Sequence, residues 1–243
     1  MKKPRIGIIV QARMGSTRLP AKVMQEILGQ PMLLRVMERL KAVALADVLI
    51  IATAQTPENN PIVELAQRAN VKIFRGSEAD VLRRYYETAK ENKLDVVTRV
   101  TSDCPLIDPR VVDEGIQYFL DHQPIDYVSN TLERTFPRGM DTEVFSFAIL
   151  KKANDEADQP YQREHVTPYI LEKGRALNYS HKKNLSKYRL TVDTAEDFAL
   201  IVKIYEALYS KNKLFDLEAI VQFLEKNPRL LELNKNVKQK VVK

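Results

Sequence analysis

Residues 6–23, IGIIVQARMGSTRLPAKV, open as an apolar, β-branched run and then change character. The run has the length and composition of a buried strand. The twelve residues from Gln11 to Lys22 hold three cations (Arg13, Arg18, Lys22), two hydroxyls (Ser16, Thr17), Gly15 and Pro20. Cations placed directly behind a first buried strand point to a bound anion. The loop is too poor in glycine for G-x-x-x-x-G-K-[ST] or G-x-G-x-x-G, yet the chemistry is available. Gly15 permits close backbone approach, the hydroxyls donate hydrogen bonds, and the cations balance a polyphosphate. Taken singly, Arg18 and Lys22 also read as caps of a surface turn; taken together behind a strand, the three cations favour phosphate.

Outward from this stretch, further apolar runs fall at 47–53, 71–74, 95–100 and 126–129. Helical spacing fills the gaps, from Pro31, Asn59, Ser77 and Asp108. Asp108 before Pro109 reads as N-cap and N1, and Ser77 with Asp80 three residues on reads as a capping box. This alternation predicts an α/β fold, a mostly parallel sheet flanked by helices. Ligands of such sheets bind outside the carboxyl ends of the strands, which puts the cationic loop and TSDCPLIDP (101–109) on one cleft. From 127 to 190 the alternation breaks. MDTEVFSF is strand-like, helical stretches follow near 146–157 and 163–173, and YRLTVDT leads to closing helices over 194–211 and 216–226. The expectation is a single domain over 1–243 with a small excursion subdomain at 127–190.

With 44% hydrophobic and 29% charged residues, the 243-residue chain is expected to form a packed core rather than a disordered one. The apolar run near the amino terminus is too short for a signal peptide or a membrane span, so a cytoplasmic protein with no membrane partner is expected. A single cysteine, Cys104, excludes an internal disulfide framework, and His122, His165 and His181 have no zinc spacing. A catalytic metal would therefore be held by carboxylates. Of the net charge of +6, four lysines sit in the tail NKNVKQKVVK (234–243), leaving +2 for the body. Such a basic tail reads as a solvated or frayed end, and no nucleic-acid partner is expected.

Seven motifs in order, VQARMGSTRLPAKV, GQPMLLRV, GSEADVLRRY, RVTSDCPLIDP, FPRGMDTEVFS, REHVTPYI and RLTVDTAEDF, make the chain resemble a known family. These are the cytidylyltransferases that activate 3-deoxy-2-keto sugar acids (the 3-deoxy-manno-octulosonate and acylneuraminate enzymes), and within them the spore-coat polysaccharide SpsF-like branch. The resemblance covers nearly the whole chain. It implies a Rossmann-like, GT-A-like nucleotidyltransferase fold that uses CTP and Mg²⁺. It further implies that the first loop reads cytosine through its backbone and grips the triphosphate, which maps onto Ala12, Arg13, Ser16 and Lys22, with Arg18 added. Gln11, Gly15, Ser77 and Asp80 complete the expected nucleotide set. Ala21 stands where many relatives have glycine.

Asp103 and Asp193 resemble the family's pair of Mg²⁺ ligands and, with Arg13 and Lys22, form the expected catalytic set. One or two carboxylates plus substrate phosphates is the usual way to hold this ion. Read without the family, Asp103 is equally a turn former and Asp193 part of an acidic helix N-terminus. In the excursion, Arg138 would meet a sugar carboxylate, and Asn130, Asp141 and Glu143 its hydroxyls, although an ordinary polar turn would carry the same residues. The resemblance places His165 of QREHVTPYI near the acceptor and implies a homodimer. Thr101 belongs to the acceptor set too, and it stands where the octulosonate enzymes carry glutamine.

The expected reaction is CTP-dependent activation of a 2-keto sugar acid to a CMP-sugar with release of pyrophosphate, for surface polysaccharide or glycan synthesis. Two alternatives remain at this level. A nucleotide-sugar glycosyltransferase would share the sheet and metal carboxylates, but no D-x-D surrounds Asp103. A non-catalytic nucleotide- or nucleic-acid-binding protein lacks support from RNP aromatics or a helix-turn-helix. No G-x-S-x-G elbow presents a nucleophile, and Cys104 reads as a small buried hydrophobe.

Overall fold

The computed structural model describes residues 3–16 and 18–239. Thr17, one of the two loop hydroxyls, and the last four residues of the basic tail lie outside the described residues. The elements run β1 (Ile6–Gln11), a small hairpin of β2 (Glu26–Ile27) and β3 (Gln30–Pro31), α1 (Met32–Leu40), β4 (Val48–Ala54), α2 (Asn60–Arg68), β5 (Lys72–Gly76), α3 (Val81–Glu91), β6 (Val96–Thr101) and α4 (Pro109–Asp121). There follow β7 (Tyr127–Ser129), β8 (Glu143–Ser146), α5 (Phe147–Glu156), α6 (Pro160–His165), α7 (Pro168–Lys173), β9 (Ala176–Asn178), α8 (Ala195–Leu208) and α9 (Leu217–Lys226).

Seven strands form one sheet in the order β5-β4-β1-β6-β8-β7-β9. Only β8 runs antiparallel to its neighbours, so the sheet is mostly parallel. Alternation along β1 explains the layering. Ile6, Ile8 and Val10 enter the core under α1, α4, α8 and α9, while Ile9 points to the opposite core under α3, α5 and α7. With both faces covered, the strands read as continuous apolar runs.

The stretch 127–190 departs from expectation. Rather than leaving the main sheet, it supplies three of the seven strands. Those strands are three or four residues long, too short for a period-2 pattern to stand out, and their pairing is set by long-range contacts. Gly139 helps dock the intervening loop. Its φ of +100° and a Cβ position only 2.5 Å from the Leu190 carbonyl admit no side chain. Beside it the Arg138 amide donates to the Tyr188 carbonyl (3.2 Å), and the Leu190 amide donates to the Arg138 carbonyl (2.7 Å).

Helix starts follow side-chain chemistry. Asp108 caps α4 by accepting from the Arg110 amide, with Pro109 at N1. The cap of α3 is Asp80, which accepts from the Arg83 amide (2.9 Å), and not Ser77. Ser77 Oγ instead accepts from the Asp80 amide (3.0 Å), supporting the cap from outside. Thr194 and Asp197 form a reciprocal capping box on α8. Among the described residues no helix is long and apolar enough to cross a membrane.

Candidate active site

The loop behind β1 is anchored at both ends. The Ala12 amide still bonds to the Ala52 carbonyl of β4 (3.2 Å), and the Met14 amide donates to Oδ1 of buried Asn59 (2.9 Å). Ala21 then takes the left-handed conformation (φ 50°, ψ 28°) and turns the chain into a 3-10 turn, Lys22–Met24. Alanine is strained there, and glycine would not be. Ala21→Gly is expected to stabilise the protein by about 1 kcal/mol, raising its melting temperature by about 3 °C. Thermal denaturation checks this, and a lower melting temperature would show that the turn tolerates alanine without strain.

The turn sends Lys22 across to two other segments. Its Nζ donates to Asp103 Oδ2 (2.9 Å), to the Val192 carbonyl (2.7 Å) and to Asp193 Oδ1 (3.3 Å), so all three protons are used. The 90 residues between the aspartates are bridged by backbone. The Val192 amide and the Thr191 hydroxyl both donate to the Asp103 carbonyl (2.9 and 3.1 Å). Asp193 also pairs with Arg18 (2.9 Å) and Arg189 (2.8 Å). Burial opposes charge on Lys22, but the adjoining Asp103 and Asp193 outweigh it and raise its pKa. Likewise burial disfavours the Asp103 carboxylate, yet Lys22 and the Thr101 hydroxyl (2.6 Å) hold its pKa below the usual value. Both members of the pair thus stay ionised at neutral pH.

Around this cluster lies a cleft of about 300 Å³. Gln11, Ala12, Arg13, Gly15, Ser16 and Arg18 line it from the first loop, and Thr101, Ser102 and Asp103 from the end of β6. Val81 and Arg84 of α3, Asp193, and Glu164 and His165 close it. A smaller cavity of about 190 Å³ adjoins, lined by Arg99, Thr101, Thr131, Arg134, Asp141 and Glu143. Thr101 belongs to both and bonds to Asp103, so the two cavities meet at the carboxylate cluster.

The walls of the second cavity are ion-paired. Arg134 grips Asp141 through two bonds (2.6 and 2.9 Å). Arg99 pairs with Glu143, which also accepts from the hydroxyls of Tyr127 (2.7 Å) and Thr167 (2.9 Å). Between His165 and Thr167, Val166 is fully buried at φ 72°, ψ −55° in a γ-turn closed by the Thr167 amide on the His165 carbonyl (2.9 Å). A β-branched residue there stores about 1–3 kcal/mol. The strained turn directs His165 to the large cleft and Thr167 to Glu143 of the small one.

The expected nucleotide and catalytic residues of the first loop, with Asp103 and Asp193, converge on the large cleft. His165 joins them there, and Thr101, Asp141 and Glu143 line the small cavity. Ser77 and Asp80 line neither. Asp80 is taken up by the α3 cap and by Arg163 Nε (3.1 Å), and Ser77 supports that cap. Asn130 is buried and spent on backbone, donating to the Met140 carbonyl (2.7 Å) and accepting from the Thr142 amide (3.0 Å). Arg138 lines neither cavity; the arginines that do face the small one are Arg134 and Arg99. Arg99, Arg84, Ser102 and Asn59 were not singled out from sequence. Only Arg99 left a signal, a charge inside a β-branched strand.

Oxygen donors from two carboxylates at one point suit Mg²⁺, and with no group of three or more His, Cys, Asp or Glu side chains among the described residues, phosphates would have to complete the shell. The sequence profile of the cytidylyltransferase family matches residues 7–240. The chain is 32% identical to the spore coat polysaccharide biosynthesis protein SpsF of Bacillus subtilis, over 92% of this chain and 95% of that one. It is 27% identical to the 3-deoxy-manno-octulosonate cytidylyltransferase of Chlorobium luteolum, over 87% and 84%. Among solved structures, a cytidylyltransferase from Leptospira borgpetersenii superposes with a TM-score of 0.90 at 34% identity, covering 98% of this chain and all of that one. A cationic loop and two cavities meeting at paired carboxylates accord with the end-to-end similarity to these proteins, which places the chain in the cytidylyltransferase family, as a nucleotidyltransferase.

Proposed function

We propose that the protein transfers CMP from CTP to the anomeric hydroxyl of a 2-keto sugar acid for surface polysaccharide synthesis. The observation that carries this is the meeting of two unequal cavities at Lys22, Asp103 and Asp193. Transfer between two substrates needs both held against one charged centre. CTP occupies the large cleft, with Arg13, Arg18, Lys22 and Ser16 on its phosphates and the loop backbone at Gln11 and Ala12 on the base. The acceptor occupies the small cavity, with Arg134 or Arg99 toward its carboxylate and Thr101, Thr131 and Asp141 toward its hydroxyls.

Asp103 and Asp193 would hold Mg²⁺, which supplies neutralisation of the phosphate charge. The acceptor oxygen forms a bond to the α-phosphorus, the bond to pyrophosphate breaks, and the hydroxyl proton is released. Lys22 and Arg13 stabilise the charge that develops on the phosphates. Thr101, in place of the octulosonate enzymes' glutamine, favours an acceptor other than the octulosonate.

Pyrophosphate release with each of the four nucleoside triphosphates, Mg²⁺ and a panel of 2-keto sugar acids tests the reading. Release is expected with CTP only and only with a particular sugar acid. Release that ignores the base, or CTP that neither reacts nor raises the melting temperature, would overturn it.

A further inference from the structure

The basic, apolar-poor tail that begins at Asn234 has the composition of a frayed end, yet its described part packs onto the site. After α9 a 3-10 turn, Pro228–Glu232, redirects the chain, and Asn234 sinks to 5% exposure. Its Nδ2 donates to Asp197 Oδ1 (2.9 Å) and to the Arg189 carbonyl (3.1 Å). Farther along, Gln239 Oε1 accepts from Arg189 Nη1 (2.7 Å). The rest of the Arg189 guanidinium is committed as well. Nε donates to Asp197 Oδ1 (2.8 Å), and Nη2 donates to Asp197 Oδ2 (3.0 Å) and Asp193 Oδ2 (2.8 Å).

Asp193 therefore has one oxygen tied to Arg189 and the other, Oδ1, turned to Lys22 and Arg18 in the cleft. Arg189 in turn is fixed by Asp197 and by the tail. The same segment runs beside the first loop, since Val237 and Lys238 share a surface hollow with Arg18 and Thr194.

We propose that residues 234–239 form a strap belonging to the active site, in which Asn234 is a positioning residue that fixes Arg189 and Asp197 and so orients Asp193. The proposal rests on the reading of Asp193 as a carboxylate that serves the nucleotide and its metal. Removing a partner that touches a metal ligand, as Arg189 touches Asp193, typically alters metal affinity by about 10–100-fold, and Asn234, one contact farther back, is assigned the lower end.

The test compares Asn234→Ala with Arg229→Ala, an exposed position on the 3-10 turn that precedes the strap. Three quantities are read: Mn²⁺ binding in the presence of CTP by electron paramagnetic resonance, the Mg²⁺ dependence of pyrophosphate release, and amide hydrogen exchange over 189–197 without ligand. For Asn234→Ala, Mn²⁺ affinity is expected to fall about tenfold. The half-saturating Mg²⁺ concentration should rise by the same factor while the acceptor KM stays put and exchange over 189–197 quickens. Arg229→Ala is expected to match wild type.

A folded Asn234→Ala protein with wild-type Mn²⁺ affinity overturns the proposal. Should it not fold, Arg189→Lys, which keeps the charge but loses the fork, decides in the same way. Should wild type itself bind no Mn²⁺ with CTP, the functional reading has failed rather than the strap. Ligand-free exchange then decides: faster in Asn234→Ala upholds the strap, and unchanged exchange overturns it.

Discussion

Lys22→Met is expected to lower CTP-dependent pyrophosphate release by about 10²–10³-fold, the usual loss when one preorganised charge-stabilising donor is removed. The geometry gives the reason. Nζ is held by Asp103, Asp193 and the Val192 carbonyl, so it is aimed at the junction of the cavities before any substrate arrives. Methionine keeps the bulk of the stem and removes the charge. The same change has a structural cost, because the Asp103 and Asp193 side chains, 25% and 11% exposed, then face one another without their shared cation. A destabilisation of about 2 kcal/mol follows, a fall in melting temperature of about 6 °C, with the protein still folded at 25 °C. Steady-state assays and thermal denaturation read the two effects separately. Turnover at the wild-type level would sink the catalytic assignment whatever the stability.

A larger loss of stability is expected from Glu143→Ala. Glu143 is the shared acceptor for Arg99, the Tyr127 hydroxyl and the Thr167 hydroxyl. Removing it strands the Arg99 guanidinium against Gln11 Oε1 alone, at 3.3 Å. Breaking a buried pair from one side costs about 3–5 kcal/mol, so the melting temperature should fall by about 10 °C. Removing both charges is milder. Glu143→Ala combined with Arg99→Met is expected to be more stable than Glu143→Ala alone, with a coupling of about 2 kcal/mol in a double-mutant cycle. Urea denaturation of the four proteins measures it. If Glu143→Ala loses less than about 1 kcal/mol, the pair is solvated and not the buried anchor described above.

The two predictions fall on residues of different legibility. Lys22 was readable because it sits in a short loop behind a strand, where local sequence decides the structure. The strands β1, β4 and β6 were readable for a related reason, since burial on both faces turns them into mostly apolar runs, while β5, a part-exposed edge strand, was marked only by the short run VKIF. Glu143 was visible as a polar residue in a strand-like stretch, but its partner Arg99 is supplied by an adjacent strand, and no spacing rule links the two. Arg138 and Asn130 suit a sugar by residue type, yet the Arg138 backbone and the Asn130 side chain are consumed in docking the 130–142 loop, and neither residue lines the small cavity. Ser77 fitted a capping pattern that the chain satisfies three residues later, at Asp80. The tail was unreadable for the plainest reason: Asn234 is held by residues 37 and 45 positions away, and its own neighbourhood carries no periodicity.

The single reversed strand, β8, has a consequence for how such a protein can diversify. Because β8 runs opposite to β6 and β7, the connection from Ser129 to Glu143 lies at the same rim of the sheet as the ends of β1 and β6. Four of the six residues that line the small cavity, Thr131, Arg134, Asp141 and Glu143, are thereby concentrated in one segment that faces Arg99 and Thr101 of β6, anchored at its two ends by strand pairing and near its far end by Gly139. Insertions or exchanges within 131–137 leave the seven-strand register untouched. Grafting this segment between homologues is therefore expected to reshape the small cavity while leaving the loop behind β1 and the large cleft unchanged.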